Sequence, residues 1–237
     1  MSMTESYDYG DYGKFKASEV VKPRRADHIL RGLGLKHRYL RFVDAIDRSR
    51  EIVEIGCGSG AFLAEMRAAG FEHVQGVDLS PSYDGDPDIH IGDAAEYLAT
   101  KPDGSLGGVV AFDVFEHIPL PSLLQLGGVI ASKLRPDGKL IFRVPNLASP
   151  LALYNQYGDL SHVTAMNEVS VRQLAFDTGM VVEGIYPEPL GYPRSVGALA
   201  ALLAWPIYRE TTRLALLAFG VRARVLTPNL VCVMSLP

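Results

Sequence analysis

Cysteine is nearly absent from this 237-residue chain. Only Cys57 and Cys232 occur, far apart and in no CxxC pair. That excludes a disulfide scaffold and a structural zinc site. An excess of positive charge is missing too. Lys and Arg number 23 against 27 Asp and Glu, a net charge of −4, so nothing draws the chain to nucleic acid phosphates. No unbroken apolar run is long enough to span a bilayer. The longest candidate, Ser195 to Val221, is interrupted by Arg209, Glu210 and Arg213, whereas a spanning helix needs ~20 mostly apolar residues. The start, MSMTESYDYGDYGKF, lacks a basic region followed by an apolar one. No secretory signal is expected, and a reducing, cytoplasmic setting is the default.

What remains is ordinary globular usage, 48% hydrophobic and 21% charged residues. The length suits one large domain, or one domain with attachments. Such a chain can bury roughly 70% of its unfolded surface without disulfides or metal.

The chain divides into four stretches. Residues 1–49 hold a Tyr- and Gly-rich arm (Tyr7, Tyr9, Tyr12) and then helical spacing. The arm is either a frayed terminus or a lid over a ligand. The helical part forms a cap, broken near Gly32 and Gly34. Residues 50–187 alternate strand and helix. EIVEIG, HVQGVDL, DIHIG, GGVVAFD and KLIFRVP read as strands; residues 60–69, 93–99 and 121–134 read as helices. Asn167–Asp177 reads as a further helix, and Gly179–Tyr186 as a further strand. Strands separated by helices imply a parallel α/β sheet covered on both faces. Residues 188–224 form an apolar, proline-punctuated insertion, predicted as two helices around Pro206. Residues 225–237 supply a final strand, LVCVMS.

The strongest local signal is Glu54-Ile55-Gly56-Cys57-Gly58-Ser59-Gly60, which joins an apolar strand to a helix. Glycines let a ligand approach the backbone, and a helix N-terminus favours negative charge. Asp78 ends the next strand, where a carboxylate accepts both hydroxyls of an adenosine ribose. These features alone serve NAD and S-adenosylmethionine equally.

The ordered set decides between them. ExGCGSG, then VDLS at 77–80, GDA at 92–94, DVFEHI at 113–118 and LRPDGKLIFRVPN at 134–146 resembles the class I S-adenosylmethionine-dependent methyltransferases over Glu51 to Asn146. The detail looks most like the small-molecule group that includes ubiquinone-pathway and sugar O-methyltransferases. The resemblance implies a Rossmann-like sheet of seven strands, mostly parallel, with the last antiparallel between the fifth and sixth. It implies S-adenosylmethionine as cofactor and S-adenosylhomocysteine as product. Gly56, Cys57, Gly58 and Gly60 would shape the loop beside the methionine part, and Glu54 would hold its amino group. Asp78 would bind the ribose, Leu79 cover the adenine, and Asp93 and Ala94 meet the adenine edge. Asp113 and Phe115 would lie near the transferred methyl. Plainer readings stand beside these. Cys57 is a small packing residue rather than a nucleophile, Glu54 pairs with a surface base, and Asp113 caps a helix.

Methyl transfer to a hydroxyl needs alignment and a proton acceptor. Histidine suits the latter near neutral pH. His162, in the segment Gly158-Asp159-Leu160-Ser161-His162, is the first candidate, oriented by Asp159; His117 is the second, with Asp113 nearby. A metal site would need Asp113, His117, Asp159 and His162 to converge, and no sequential spacing supports one, so none is expected. DVFEHIP stands where DNA-base enzymes carry an Asn-Pro-Pro-Tyr signature, so a nucleic acid substrate is not expected. The expected acceptor is the hydroxyl, less so the amine, of a small molecule, with a sugar or nucleotide-linked sugar of polysaccharide or natural-product assembly preferred. The insertion serves as auxiliary layer, homodimer interface, cover for an apolar or lipid-linked substrate, or peripheral membrane contact, its arginines suiting anionic groups, and it is expected to control substrate choice. Two other functions stay open: an NAD-dependent oxidoreductase on the same loop, and a non-catalytic interaction module.

Overall fold

The computed structural model describes residues 38–80, 87–189 and 196–237. The arm and the predicted break near Gly32 and Gly34 lie outside the described residues. In chain order the described elements are α1 (Leu40–Val43), β1 (Glu51–Ile55), α2 (Ala61–Ala68), β2 (His73–Asp78), β3 (Ile89–Ile91), α3 (Ala94–Ala99) and β4 (Leu106–Phe112). A short 3₁₀ turn, Phe115–His117, leads into α4 (Leu120–Lys133) and β5 (Leu134–Pro145). Then come α5 (Ala152–Tyr157), α6 (Glu168–Asp177), β6 (Val181–Pro187), α7 (Val196–Ala218) and β7 (Asn229–Ser235).

The strands form one seven-stranded sheet, ordered β3-β2-β1-β4-β5-β7-β6. The first five pair in parallel, and β7 runs antiparallel between β5 and β6. The alternation of side chains along a strand explains how one sheet serves two cores. Val53, Val109, Leu140 and Phe142 meet Leu98, Leu123, Ile130 and Leu174 of α3, α4 and α6 on one face. Ile52, Val110 and Ile141 meet Tyr39, Val43, Leu63 and Met66 of α1 and α2 on the other. Both faces of the central strands are therefore apolar, which is why they read as continuous apolar runs.

Two elements differ from expectation. Among the described residues, the 188–224 stretch contains one helix, α7, with Pro206 inside it, rather than two helices divided at that proline. A proline in a helix interior costs about 3 kcal/mol. The Ala- and Leu-rich turns on both sides are strong helix formers and carry the helix through. α5 has no counterpart in the sequence pattern, because its six residues are too few to show a period. By contrast, α6 starts where its sequence says. Asn167 accepts from the backbone N–H groups of Val169 and Ser170, and the Ser170 side chain returns the bond, completing a capping box.

Parallel strands aim their carboxyl ends at one edge of the sheet. The loops after β1, β2, β4 and β5 open there, beside the point where the strand order reverses, and that crevice is where ligands bind in such sheets.

Candidate active site

The crevice is a cavity of about 1300 Å³. Its floor begins at the glycine loop. Gly56, Gly58 and Gly60 take φ of +66°, +53° and +71°, backbone that other residues rarely adopt. Gly56 is also confined: a Cβ there would sit 2.4 Å from Val114 Cγ2. The loop is tied to β2 by hydrogen bonds. Gly56 N–H donates to the Val77 carbonyl at 2.8 Å, and Gly58 N–H donates to Asp78 Oδ2 at 2.8 Å. Ser80 N–H donates to Asp78 Oδ1, also at 2.8 Å. The Asp78 carboxylate is thus held in one orientation at the cavity wall, with further lone pairs left to accept hydroxyls.

Glu54 does not itself line the cavity: it is buried beneath the loop, and its Oε2 has no hydrogen-bond partner among the described residues. Burial, reinforced by the nearby Asp78 charge, raises its pKa to about 8. An unpartnered buried carboxyl is costly unless a cation or donor arrives. An ammonium group beside it would supply that partner. Leu79 and Ala94 line the adjoining wall with Asp93, whose Oδ1 caps α3 by accepting from Ala95 and Glu96 N–H.

Several expected residues fall elsewhere. Phe115 is not at the cavity. It is 1% exposed and packs its ring 4.9 Å from that of Phe142 in the core, because the 3₁₀ turn points it at the sheet while Val114, Glu116 and His117 face the cavity. Cys57 is buried, and a Cβ on Gly76 would lie 2.4 Å from its Sγ; the small thiol fills the space that Gly76 leaves. Gly60 stands at the start of α2, away from the lining. Asp113 does line the cavity, with left-handed backbone at φ +58°. Its carboxylate lies in the fork of Arg143, which bonds both oxygens, and this pairing offsets the strain of such a backbone. Arg143 also reaches the Tyr39 hydroxyl and Glu188, and burial pushes the Tyr39 phenol up to about 12. Asp113 is thus a strut rather than a poised base. A lone arginine in the apolar run KLIFRVP was the signal that could have found its partner.

At the opposite end of the cavity the two histidines meet. The rings of His117 and His162 lie 4.5 Å apart at 69°. The backbone brings them together: Val163 and Thr164 N–H both donate to the Glu116 carbonyl, at 2.8 and 3.0 Å, and Thr164 Oγ1 donates to the Ile118 carbonyl at 2.6 Å. His162 Nδ1 lies 3.1 Å from the Gln156 carbonyl. The expected support of His162 by Asp159 takes a different form. Asp159 Oδ1 accepts from the Ser161 hydroxyl at 2.6 Å, and Ser161 Oγ bonds His117 Nδ1 at 2.8 Å. Among the described residues, Glu116, His117 and His162 each bring one ligand-type atom within 4.8 Å of the others. The fold supplies a proximity that no sequence spacing announces, able to share a proton or a cation. Tyr154, Asn155 and Gly158 of the α5 region close this end. Around it Tyr154, Tyr157 and Leu160 are 85%, 73% and 95% exposed.

No described residue of α7 lines the cavity, so the expected substrate cover is not seen there. The helix's Tyr208 hydroxyl lies 3.2 Å from Ser149 Oγ, while Leu203 and Ile207 stay exposed. Among the described residues no helix is long and apolar enough to cross a membrane.

Residues 26–183 match the family model described as "Methyltransferase domain". The chain is 27% identical over 211 residues to a ubiquinone biosynthesis O-methyltransferase of Aromatoleum aromaticum, covering 84% of this chain and 80% of that one. A Burkholderia thailandensis protein of the same name is 29% identical over 107 residues, 41% of this chain and 45% of its own. Among solved structures, an Archaeoglobus fulgidus SAM-dependent methyltransferase superposes with a TM-score of 0.63 at 21% identity, covering 84% of this chain and 92% of that one. A Haloferax volcanii putative methyltransferase, solved with its Trm112 activator, gives 0.60 at 16% identity over 98% and 99%.

Proposed function

Given that the chain belongs to the methyltransferase domain family and is an S-adenosylmethionine-dependent enzyme, we propose that it methylates a hydroxyl on a small molecule bearing an apolar portion. The observation that carries this reading is one cavity with two chemically distinct ends. Gly56, Gly58 and Asp78 line one end, with Glu54 buried behind it, and the His117–His162 pair lines the other. The residues present fit the cofactor. The left-handed backbone at Gly56 and Gly58 shapes a turn at the cavity wall, Asp78 offers acceptors for ribose hydroxyls, and the buried Glu54 carboxyl behind the loop fits an ammonium group. When bound, the cofactor supplies a methyl group on a sulfonium, already primed for displacement.

The chain's own part is alignment and proton handling. A hydroxyl nucleophile held in line can gain ~7–11 kcal/mol from orientation alone. A histidine of the pair accepts its proton. Tyr154, an exposed aromatic in the cavity lining, takes the apolar portion of the acceptor. This lining favours such an acceptor over the sugar that the sequence resemblance suggested. It also agrees with the name of the Aromatoleum relative, an O-methyltransferase of ubiquinone biosynthesis. With the family established, the nicotinamide and non-catalytic alternatives are not retained.

The test is transfer of labelled methyl from S-adenosylmethionine to a panel of alkyl-substituted phenols, nucleotide sugars and amines, with products identified by mass spectrometry. O-methylated phenols are expected. Products confined to sugars or amines would overturn the acceptor assignment.

A further inference from the structure

The two cavity histidines look equivalent in sequence, yet their surroundings differ in a way that selects one of them. His162 Nδ1 faces the Gln156 backbone carbonyl, which can only accept, so His162 donates there. His117 Nδ1 faces a hydroxyl, which can do either. The hydroxyl's own partner settles the direction. Ser161 is buried, and its Oγ lies 2.6 Å from Asp159 Oδ1. Two oxygens that close need the proton between them, and a serine has only one to give. It goes to the carboxylate, whose Oδ1 also accepts from Ser161 N–H at 3.1 Å. His117 Nδ1 must then be the donor to Ser161 Oγ.

We infer that Asp159 and Ser161 are positioning residues that hold neutral His117 as its Nδ1–H tautomer, leaving Nε2 unprotonated and able to take the proton of the acceptor hydroxyl. The inference rests on the methyltransferase reading above and assigns the base within it. In the step, the acceptor O–H bond breaks and an Nε2–H bond forms on His117. The electron pair stays on the oxygen, which uses it to bond the methyl carbon, and the imidazolium later releases the proton to water. His162 is set in the same tautomer by the neutral Gln156 carbonyl. His117 is backed by a carboxylate through one hydroxyl, so the positive charge it gains is compensated. Among the described residues, the buried Glu116 carboxyl and the His162 ring also stand beside His117. The clamp between the Glu116 carbonyl and Val163 and Thr164 N–H fixes the distance over which the relay acts.

The experiment uses the full chain with ¹⁵N-labelled histidine. Two-bond nitrogen–proton correlations report each neutral tautomer, and the His117 signal is assigned by its loss in His117→Gln. Wild type should show His117 as Nδ1–H. Ser161→Ala should shift it toward Nε2–H and lower kcat about a hundredfold, the low end of what a positioned base contributes. KM for the acceptor and affinity for S-adenosylhomocysteine should stay within about twofold. Ser161→Thr should restore tautomer and rate together. Asp159→Asn, which keeps an acceptor but removes the charge, should keep the tautomer and still lower kcat; it serves if Ser161→Ala does not fold. An Nε2–H wild type overturns the inference, as does an Ser161→Ala variant whose tautomer or kcat is unchanged. If the wild type transfers no methyl group, the methyltransferase reading fails while the tautomer measurement still stands by itself.

Discussion

The two ends of the cavity are built by different means. The cofactor end comes from short local segments: a strand, a glycine turn and the ends of β2 and β3, where backbone conformation does most of the positioning. The acceptor end is assembled from pieces more than forty residues apart, with the 3₁₀ turn after β4 clamped onto the 159–164 loop by backbone hydrogen bonds. A common cofactor can be recognised by a conserved backbone shape, whereas an acceptor must be met by whichever loops the sheet edge brings together. Damage at one end should therefore reach affinity for the cofactor, and damage at the other should reach turnover.

The largest expected effect lies at the acceptor end. His117→Ala should lower kcat about a thousandfold while calorimetry finds S-adenosylhomocysteine affinity within about twofold. An equal loss of affinity would erase the division between the ends. Next, Asp78→Ala removes the acceptor of two loop N–H groups and of the ribose hydroxyls. It should weaken S-adenosylhomocysteine binding about a hundredfold, as expected when a charged acceptor of two bonds is lost. Unchanged affinity would show that the ribose is held elsewhere.

A smaller effect separates the ends by pH. Glu54 has its pKa raised to about 8, so below that pH the ligand-free protein keeps it protonated. Binding an ammonium group favours the carboxylate and releases the proton. Cofactor affinity should therefore rise with pH, by at most about tenfold per unit, and level off above pH 8. Glu54→Gln should flatten the slope. Stability runs the other way: the folded chain holds a proton that the unfolded chain releases near its ordinary 4.5, so stability falls as pH rises from there to about 8. Denaturant titrations of the Glu54→Gln variant should lack that fall. A slope that survives the substitution would move the titrating group away from the cofactor end.

The smallest effect belongs outside both ends. Leu203→Ser in α7 should change folding stability by less than about 0.5 kcal/mol, since the side chain is 71% exposed. Phe115→Ala in the core should cost about 3–5 kcal/mol. A large loss at Leu203 would mean that the helix is covered in solution.

The order of elements and the parallel sheet were legible because periods of two and near 3.6 are local properties. So were the glycine loop, Asp78 and the Asn167 cap, each a short-range requirement of backbone geometry. Phe115 was misplaced because its neighbours in sequence do face the cavity, and only the direction of one 3₁₀ turn sends its ring into the core. α7 runs through Pro206 because the cost of one proline is local, whereas the helix-forming turns on both sides act together.

The sequence by itself determined that a strand–turn–helix would leave backbone N–H groups and a carboxylate at the carboxyl edge of a sheet, since those depend on residues close in the chain. Only the tertiary structure decided that Ser161 would meet His117, that Asp113 would be held by Arg143, and that Glu54 would be buried. Each of these depends on which distant segments share one edge and on how far water is excluded from between them.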